Sequence, residues 1–241
     1  KPKGDGPFPV LLHFHGAPGG RGMDQIVGWV LGTTGGPVWE RFLQEGFVVV
    51  SADYRGGAFP TGSGVKREDI TYVDDGLAVL EYVRSLPYVD KNRITLYGVS
   101  LGGDVVTHMI SRTTVQGAIL GAPAPINFMG ATFGNGPDRW KDMKINDELA
   151  KRNIATIQTP MLILVGTADS LINLDRPLHE MLTKAGKDVT MEIYENGYHD
   201  FCMGPQGQNR PEPLLDSTLA ALEVSVKFAQ RGAAGKVQTG R

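Results

Sequence analysis

The chain has 241 residues, 41% of them hydrophobic, with five histidines and a formal net charge of −2. That length and apolar content suffice for one large α/β core, while the near-neutral charge offers no basic face to nucleic acid or an anionic membrane surface. No apolar run reaches the roughly 18 residues that span a bilayer, so a membrane span is not expected. The lone cysteine, Cys202, excludes an intrachain disulfide. Neither Cys nor His falls at metal-binding spacing, so no metal and no cofactor are expected, and a small or neutral molecule is the expected partner. The chain opens at Lys1 rather than at a methionine, which leaves compartment open; oligomeric state is open as well.

Short apolar runs that read as buried strands cover residues 8–14, 46–52, 93–97, 117–122, 161–166 and 189–194. Helical stretches separate most of them. A short one is expected over 38–45, and 70–86 sets Ile70, Val73, Leu77, Leu80 and Val83 on one face. Leu101, Val105, Val106 and Met109 mark a helix over 101–110; 174–185 ends at Gly186, and 212–231 stops at Gly232. Almost continuously apolar strands alternating with such helices predict a mostly parallel central sheet with helices on both faces, in one domain over 1–241. Such a sheet binds ligands beyond the carboxyl ends of its strands. Residues 123–147 lack clean periodicity and carry Phe128, Met129, Phe133, Trp140 and Met143 among glycines and prolines, as a lid or pocket wall would. The small polar tail, 232–241, is expected to fray.

Gly98-Val99-Ser100-Leu101-Gly102 sits where the third strand run gives way to a helix. This spacing reads as a nucleophile elbow, in which a serine hydroxyl is held out of the top of the sheet and the glycines clear a tight turn. A serine hydroxyl is a weak nucleophile near neutral pH and needs a histidine base oriented by a carboxylate. His199 lies in the polar loop Asn196-Gly197-Tyr198-His199-Asp200 after the last strand run, within reach of the sheet's top. His13 and His15 end the first strand, where alternation would set them on one side and one of them would brace the following loop. His108 and His179 fall inside helices. In the order serine, carboxylate, histidine, Asp169 follows the run 161–166 by three residues, in a loop at a strand's carboxyl end. Its nearest rival, Asp175, stands where it would cap or open the next helix.

A tetrahedral intermediate also needs two N–H donors for its oxygen. One is the N–H of Leu101. The other belongs to the loop His15-Gly16-Ala17-Pro18-Gly19, where Pro18 has no N–H; Gly16, Ala17 and Gly19 remain, with Ala17 favoured. The loop 21–37, with Met23, Ile26, Val27, Trp29, Val30 and Leu31, either covers an apolar acyl or alcohol pocket or is a local packing excursion. Trp29, Phe128, Trp140 and Phe201 are the candidate pocket residues.

With these pieces in place the chain resembles the α/β-hydrolase superfamily, and within it the catalytic domain of the prolyl oligopeptidase and acylaminoacyl peptidase group and its esterase relatives. The resemblance rests on Pro9 to Gly16, on Asp53-Tyr54-Arg55-Gly56-Gly57, on Gly98 to Gly103, on Gly166 to Asp169 and on Tyr198-His199-Asp200-Phe201. It implies a Ser100, Asp169 and His199 triad with Ala17 and Leu101 as oxyanion donors. Tyr54 either contributes its hydroxyl to the oxyanion hole, as a tyrosine does in some members, or buttresses the loop. Those peptidases carry an amino-terminal propeller, for which these 241 residues leave no room, and no acidic element for binding a substrate's amino terminus is evident. The expected activity is hydrolysis of small or medium carboxylic esters through an acyl-enzyme, without a cofactor. A peptidase or amidase on the same triad is the second reading, and a hydrolase-like binding protein the third.

Overall fold

The computed structural model of the protein describes residues 1–16, 36–54, 72–135, 139–140, 142–199, 201–203 and 214–233. Six strands, β1 (Phe8–Phe14), β2 (Val48–Ala52), β3 (Val89–Val99), β4 (Gly117–Gly121), β5 (Met161–Gly166) and β6 (Val189–Tyr194), form one sheet in the order β2-β1-β3-β4-β5-β6. Every pairing is parallel. The helices are α1 (Gly36–Gln44), α2 (Tyr72–Ser85), α3 (Leu101–Ile110), α4 (Asp147–Ala155), α5 (Ile172–Lys184) and α6 (Leu214–Ala233), with a 3-10 turn at Phe201–Met203.

Side chains of a strand alternate between faces, and the two cores follow that rule. Val10, Leu12 and Phe14 of β1 join Ile94, Leu96, Leu120 and Ile163 beneath α2, α3, α4 and α5, which contribute Leu80, Val106, Ile154 and Leu178. Leu11, Tyr97, Ile119 and Leu164 face the other way, against Trp39 and Phe42 of α1 and Leu222 and Val226 of α6. Both faces of the inner strands are therefore covered, which is why those strands read as unbroken apolar runs.

From β1 the chain runs to β2 on one side and later returns to β3 on the other. The sheet thus has its switch point between β1 and β3, and the crevice above their carboxyl ends is where such sheets take ligands.

Several expectations need correction. The third strand is longer than 93–97 because Asp90, Lys91 and Asn92 extend it through an exposed, polar stretch that no apolar pattern marks. Gly232 does not stop the last helix, which continues through it to Ala233. The irregular segment ends in an unforeseen helix, α4, whose N-cap Asn146 accepts a hydrogen bond from the Leu149 N–H. Before it, Thr132 and Lys144 form an antiparallel bridge and Met129 is buried. Asp175 caps nothing: it lies inside α5, fully buried, and the N-cap residue is Leu171. The proposed loop over 21–37 and the tail beyond residue 233 lie outside the described residues, apart from Gly36 and Pro37 at the start of α1.

Candidate active site

Ser100 occupies the turn between β3 and α3 with φ 54° and ψ −117°, a conformation that costs an L-residue on the order of 1–3 kcal/mol. The surroundings hold it there. Its N–H donates to the Gly121 carbonyl at 3.2 Å, and its own carbonyl accepts from the N–H groups of Gly103 and Ala124, both at 2.9 Å. The flanking glycines are required by close approach: a Cβ on Gly98 would overlap the Gly102 carbonyl, and one on Gly102 would overlap the Phe14 carbonyl at the end of β1. Leu101 opens α3, so its N–H has no acceptor within the helix.

Across the switch point Gly16 lies against the serine, with room for a Cβ only 3.0 Å from the Ser100 Cβ and 3.6 Å from its Oγ. Ala17 and Trp29 lie outside the described residues. Just before Gly16, the buried His15 ring has Nδ1 2.8 Å from the Gly16 carbonyl and Nε2 3.1 Å from Asp53 Oδ1. Tyr54 stacks on that ring and donates its hydroxyl to the His15 carbonyl at 3.1 Å. The phenol proton is thus engaged on the loop, and burial, reinforced by Asp53, raises its pKa. His13 and His15 do not share a side, because β1 ends at Phe14. His13 packs on Trp39 and Tyr97 in one core, while His15 packs on Tyr54 of the other. Burial pushes the His13 imidazole down to about 3, so it is neutral near pH 7.

The loops that carry Asp169 and His199 follow β5 and β6. Strand spacing of about 4.8 Å puts β5 two places, roughly 10 Å, from β3, a gap that the intervening histidine side chain must help to bridge. Asp169 is 7% exposed, and its Oδ2 lies 2.7 Å from His199 Nδ1. Its Oδ1 accepts from the Leu171 N–H at 3.0 Å. Nδ1 is thereby committed to the carboxylate. The two loops are stitched together: the Thr167 N–H donates to the Tyr194 carbonyl and the Ala168 N–H to the Gly197 carbonyl, both at 3.0 Å, and the Asn196 N–H donates to Thr167 Oγ1 at 2.8 Å. Gly166 meets Gly197 so closely that a Cβ on Gly166 would overlap the Gly197 carbonyl.

Asp175 is a carboxyl of another kind. Neither of its oxygens has a hydrogen-bond partner, and burial, together with the nearby Asp169 charge, raises its pKa well above the usual carboxylate range. Burial thus disfavours its charged form, the form that would orient an imidazole. Asp104, in the first turn of α3, accepts from Asn127 Nδ2 at 2.8 Å and the Phe128 N–H at 3.0 Å, tying the elbow helix to the segment after β4. Phe128 itself is fully buried against the His108 ring, and Phe201 is buried against Tyr194, so both are core residues. Trp140 is half-buried and packs on Phe133 beside the Arg139 guanidinium. No motif marks the contributions of Asp53, Asp104 and Gly197, because each acts through a contact between distant segments.

A model of the dienelactone hydrolase family matches residues 25–212. The chain belongs to that family. At the level of the α/β-hydrolase superfamily this agrees with the motifs, and the peptidase side of the resemblance is represented among the relatives. The inactive dipeptidyl peptidase 10 of Rattus norvegicus is 24% identical over an aligned length of 180, with 67% of this chain and 22% of that protein covered, so the chain spans only a part of this relative. The propionate-bound esterase Est2 of Thermogutta terrifontis has a similar fold, with a TM-score of 0.63 and 21% identity, covering 99% of this chain and 88% of the esterase. Dipeptidyl peptidase 4 of Porphyromonas gingivalis superposes with a TM-score of 0.62 and 22% identity, covering 94% of this chain and 31% of the peptidase. Among the described residues no helix is long and apolar enough to cross a membrane.

Proposed function

We propose that the chain is a serine hydrolase of carboxylic esters that works through an acyl-enzyme. The observation that carries this reading is the Asp169–His199 pair, 2.7 Å apart, on loops at the same edge of the sheet as the strained Ser100. Ser100 Oγ attacks the ester carbonyl carbon while His199 Nε2 takes its proton, and Asp169 holds the imidazole in the required tautomer and stabilises the imidazolium. The negative oxygen of the tetrahedral intermediate is met by the Leu101 N–H and by an N–H of the loop after β1, at Gly16 or Ala17. His199 then returns the proton to the departing alcohol, leaving an acyl group on Ser100. Water, deprotonated by the same nitrogen, attacks that acyl group and releases the acid. Membership of the dienelactone hydrolase family and the fold shared with an esterase support the reading. The Thermogutta terrifontis esterase has also been captured phosphorylated by paraoxon, as a serine nucleophile would be.

Parallel assays with p-nitrophenyl esters of graded acyl length and with aminoacyl p-nitroanilides test the proposal. Ester turnover is expected to exceed amide turnover, and S100A to abolish both. Faster amide than ester turnover would assign the chain to the peptidases, and full activity in S100A would remove Ser100 from the chemistry.

A further inference from the structure

We infer that His15 is a positioning residue for the oxyanion hole, and that with Asp53 and Tyr54 it holds Gly16, whose N–H is one of the donors nominated after β1. The inference rests on the ester-hydrolase reading given above. His15 is 2% exposed, and a buried imidazole requires a partner at each nitrogen. Its Nδ1 lies 2.8 Å from the Gly16 carbonyl. A carbonyl only accepts, so Nδ1 carries a proton and donates it. On the far side of the ring, Nε2 faces Asp53 Oδ1 at 3.1 Å. That same oxygen accepts the Tyr54 N–H at 2.7 Å, which anchors the carboxylate to the end of β2. Tyr54 completes the arrangement by donating its hydroxyl to the His15 carbonyl at 3.1 Å.

Two successive carbonyls, of His15 and Gly16, are therefore held by side chains rather than by a sheet neighbour. In a trans peptide the N–H lies on the opposite edge of the plane from the carbonyl. The Tyr54 hydroxyl fixes the plane that contains the Gly16 N–H, and the His15 ring holds Gly16 from its own carbonyl. The Gly16 N–H is one of the groups that the sequence nominates as an oxyanion donor, and Gly16 lies against Ser100. An oxyanion donor acts through a fixed direction. An unheld loop must be ordered during each turnover, and that cost falls on the transition state more than on substrate binding.

Two isosteric substitutions separate the contacts of His15. In H15N the amide nitrogen stands at the position of Nδ1, so the bond to the Gly16 carbonyl is kept and the Asp53 contact is lost. In H15Q the amide reaches the position of Nε2, so the Asp53 contact is kept and the Gly16 bond is lost. With a p-nitrophenyl ester, H15Q is expected to lose about 100-fold in kcat with KM changed less than about threefold, the size of losing one oxyanion donor. H15N is expected to lose less than about tenfold. Equal losses in the two variants, an effect confined to KM, or an unimpaired H15Q would overturn the inference. Should H15Q fail to fold, Y54F decides: a kcat loss of about tenfold or more supports the arrangement, and an unchanged kcat overturns it. Failure of the underlying reading is seen separately, as absence of ester hydrolysis in the wild type or its persistence in S100A.

Discussion

Asp104 provides a stability test whose sign is opposite to that of an ordinary paired carboxylate. The residue is 3% exposed in the first turn of α3 and accepts hydrogen bonds from Asn127 and Phe128. Those bonds favour the charged form, but burial outweighs them and pushes the carboxyl from 3.8 up to about 6. The folded state thus binds the proton more tightly than the unfolded chain. The resulting stabilisation is fully present below the unfolded value and is lost as pH rises through about 6. Its full size is (6 − 3.8) × 1.36, or about 3 kcal/mol, of which about 2 kcal/mol falls between pH 4.5 and 7.5. D104N has no such titration. Urea unfolding of both proteins at several pH values gives the stability difference, in which every other titration cancels. The stability of D104N minus that of the wild type is expected to rise by about 2 kcal/mol from pH 4.5 to 7.5. A difference that stays flat or falls over that range would refute the claim that burial dominates at this site.

The assignment of the acid is tested by D169N, which leaves the loop in place but presents an amide to His199 Nδ1; kcat for ester hydrolysis is expected to fall by about 10⁴-fold. D175N changes a buried carboxyl that has no hydrogen-bond partner among the described residues and is expected to keep kcat within about threefold, a contrast whose reversal would move the acid to the helix. G166A sets a methyl group against the Gly197 carbonyl and is expected to separate the acid and base loops. Thermal unfolding and ester assays should show a lower Tm and at least about a tenfold loss of kcat, and a G166A variant as stable and active as the wild type would show that this close approach does not position the pair.

What was legible in the sequence is what local chemistry writes into consecutive residues. The bounds of β1, α3, β5 and β6 match the sequence patterns; for β1, β5 and α3 the reason is that inner parallel strands and a largely buried helix repeat one environment along the chain. The elbow was visible because its two glycines answer to one tight turn. Polar stretches hid structure: β3 begins in Asp90, Lys91 and Asn92, and α4 buries only Ala150 and Ile154. Asn146 followed by Asp147 and Glu148 carried the available signal for that helix, a capping residue and acids in the first turn. Asp175 misled in the opposite direction, since a polar residue near a helix start suggests a cap and nothing in the neighbouring letters announces a buried carboxyl. The contacts that assemble the site, Gly166 with Gly197 and His15 with Asp53, join segments about 30 to 40 residues apart. Spacing cannot express such contacts; the packed sheet produces them.

The most direct test of the central claim is covalent labelling of the native chain with a fluorophosphonate, followed by intact mass and peptide mapping. One adduct per chain, on Ser100 and absent from S100A, is the predicted result. An unlabelled wild type, or an S100A protein that labels equally, would contradict the assignment of Ser100 as the nucleophile.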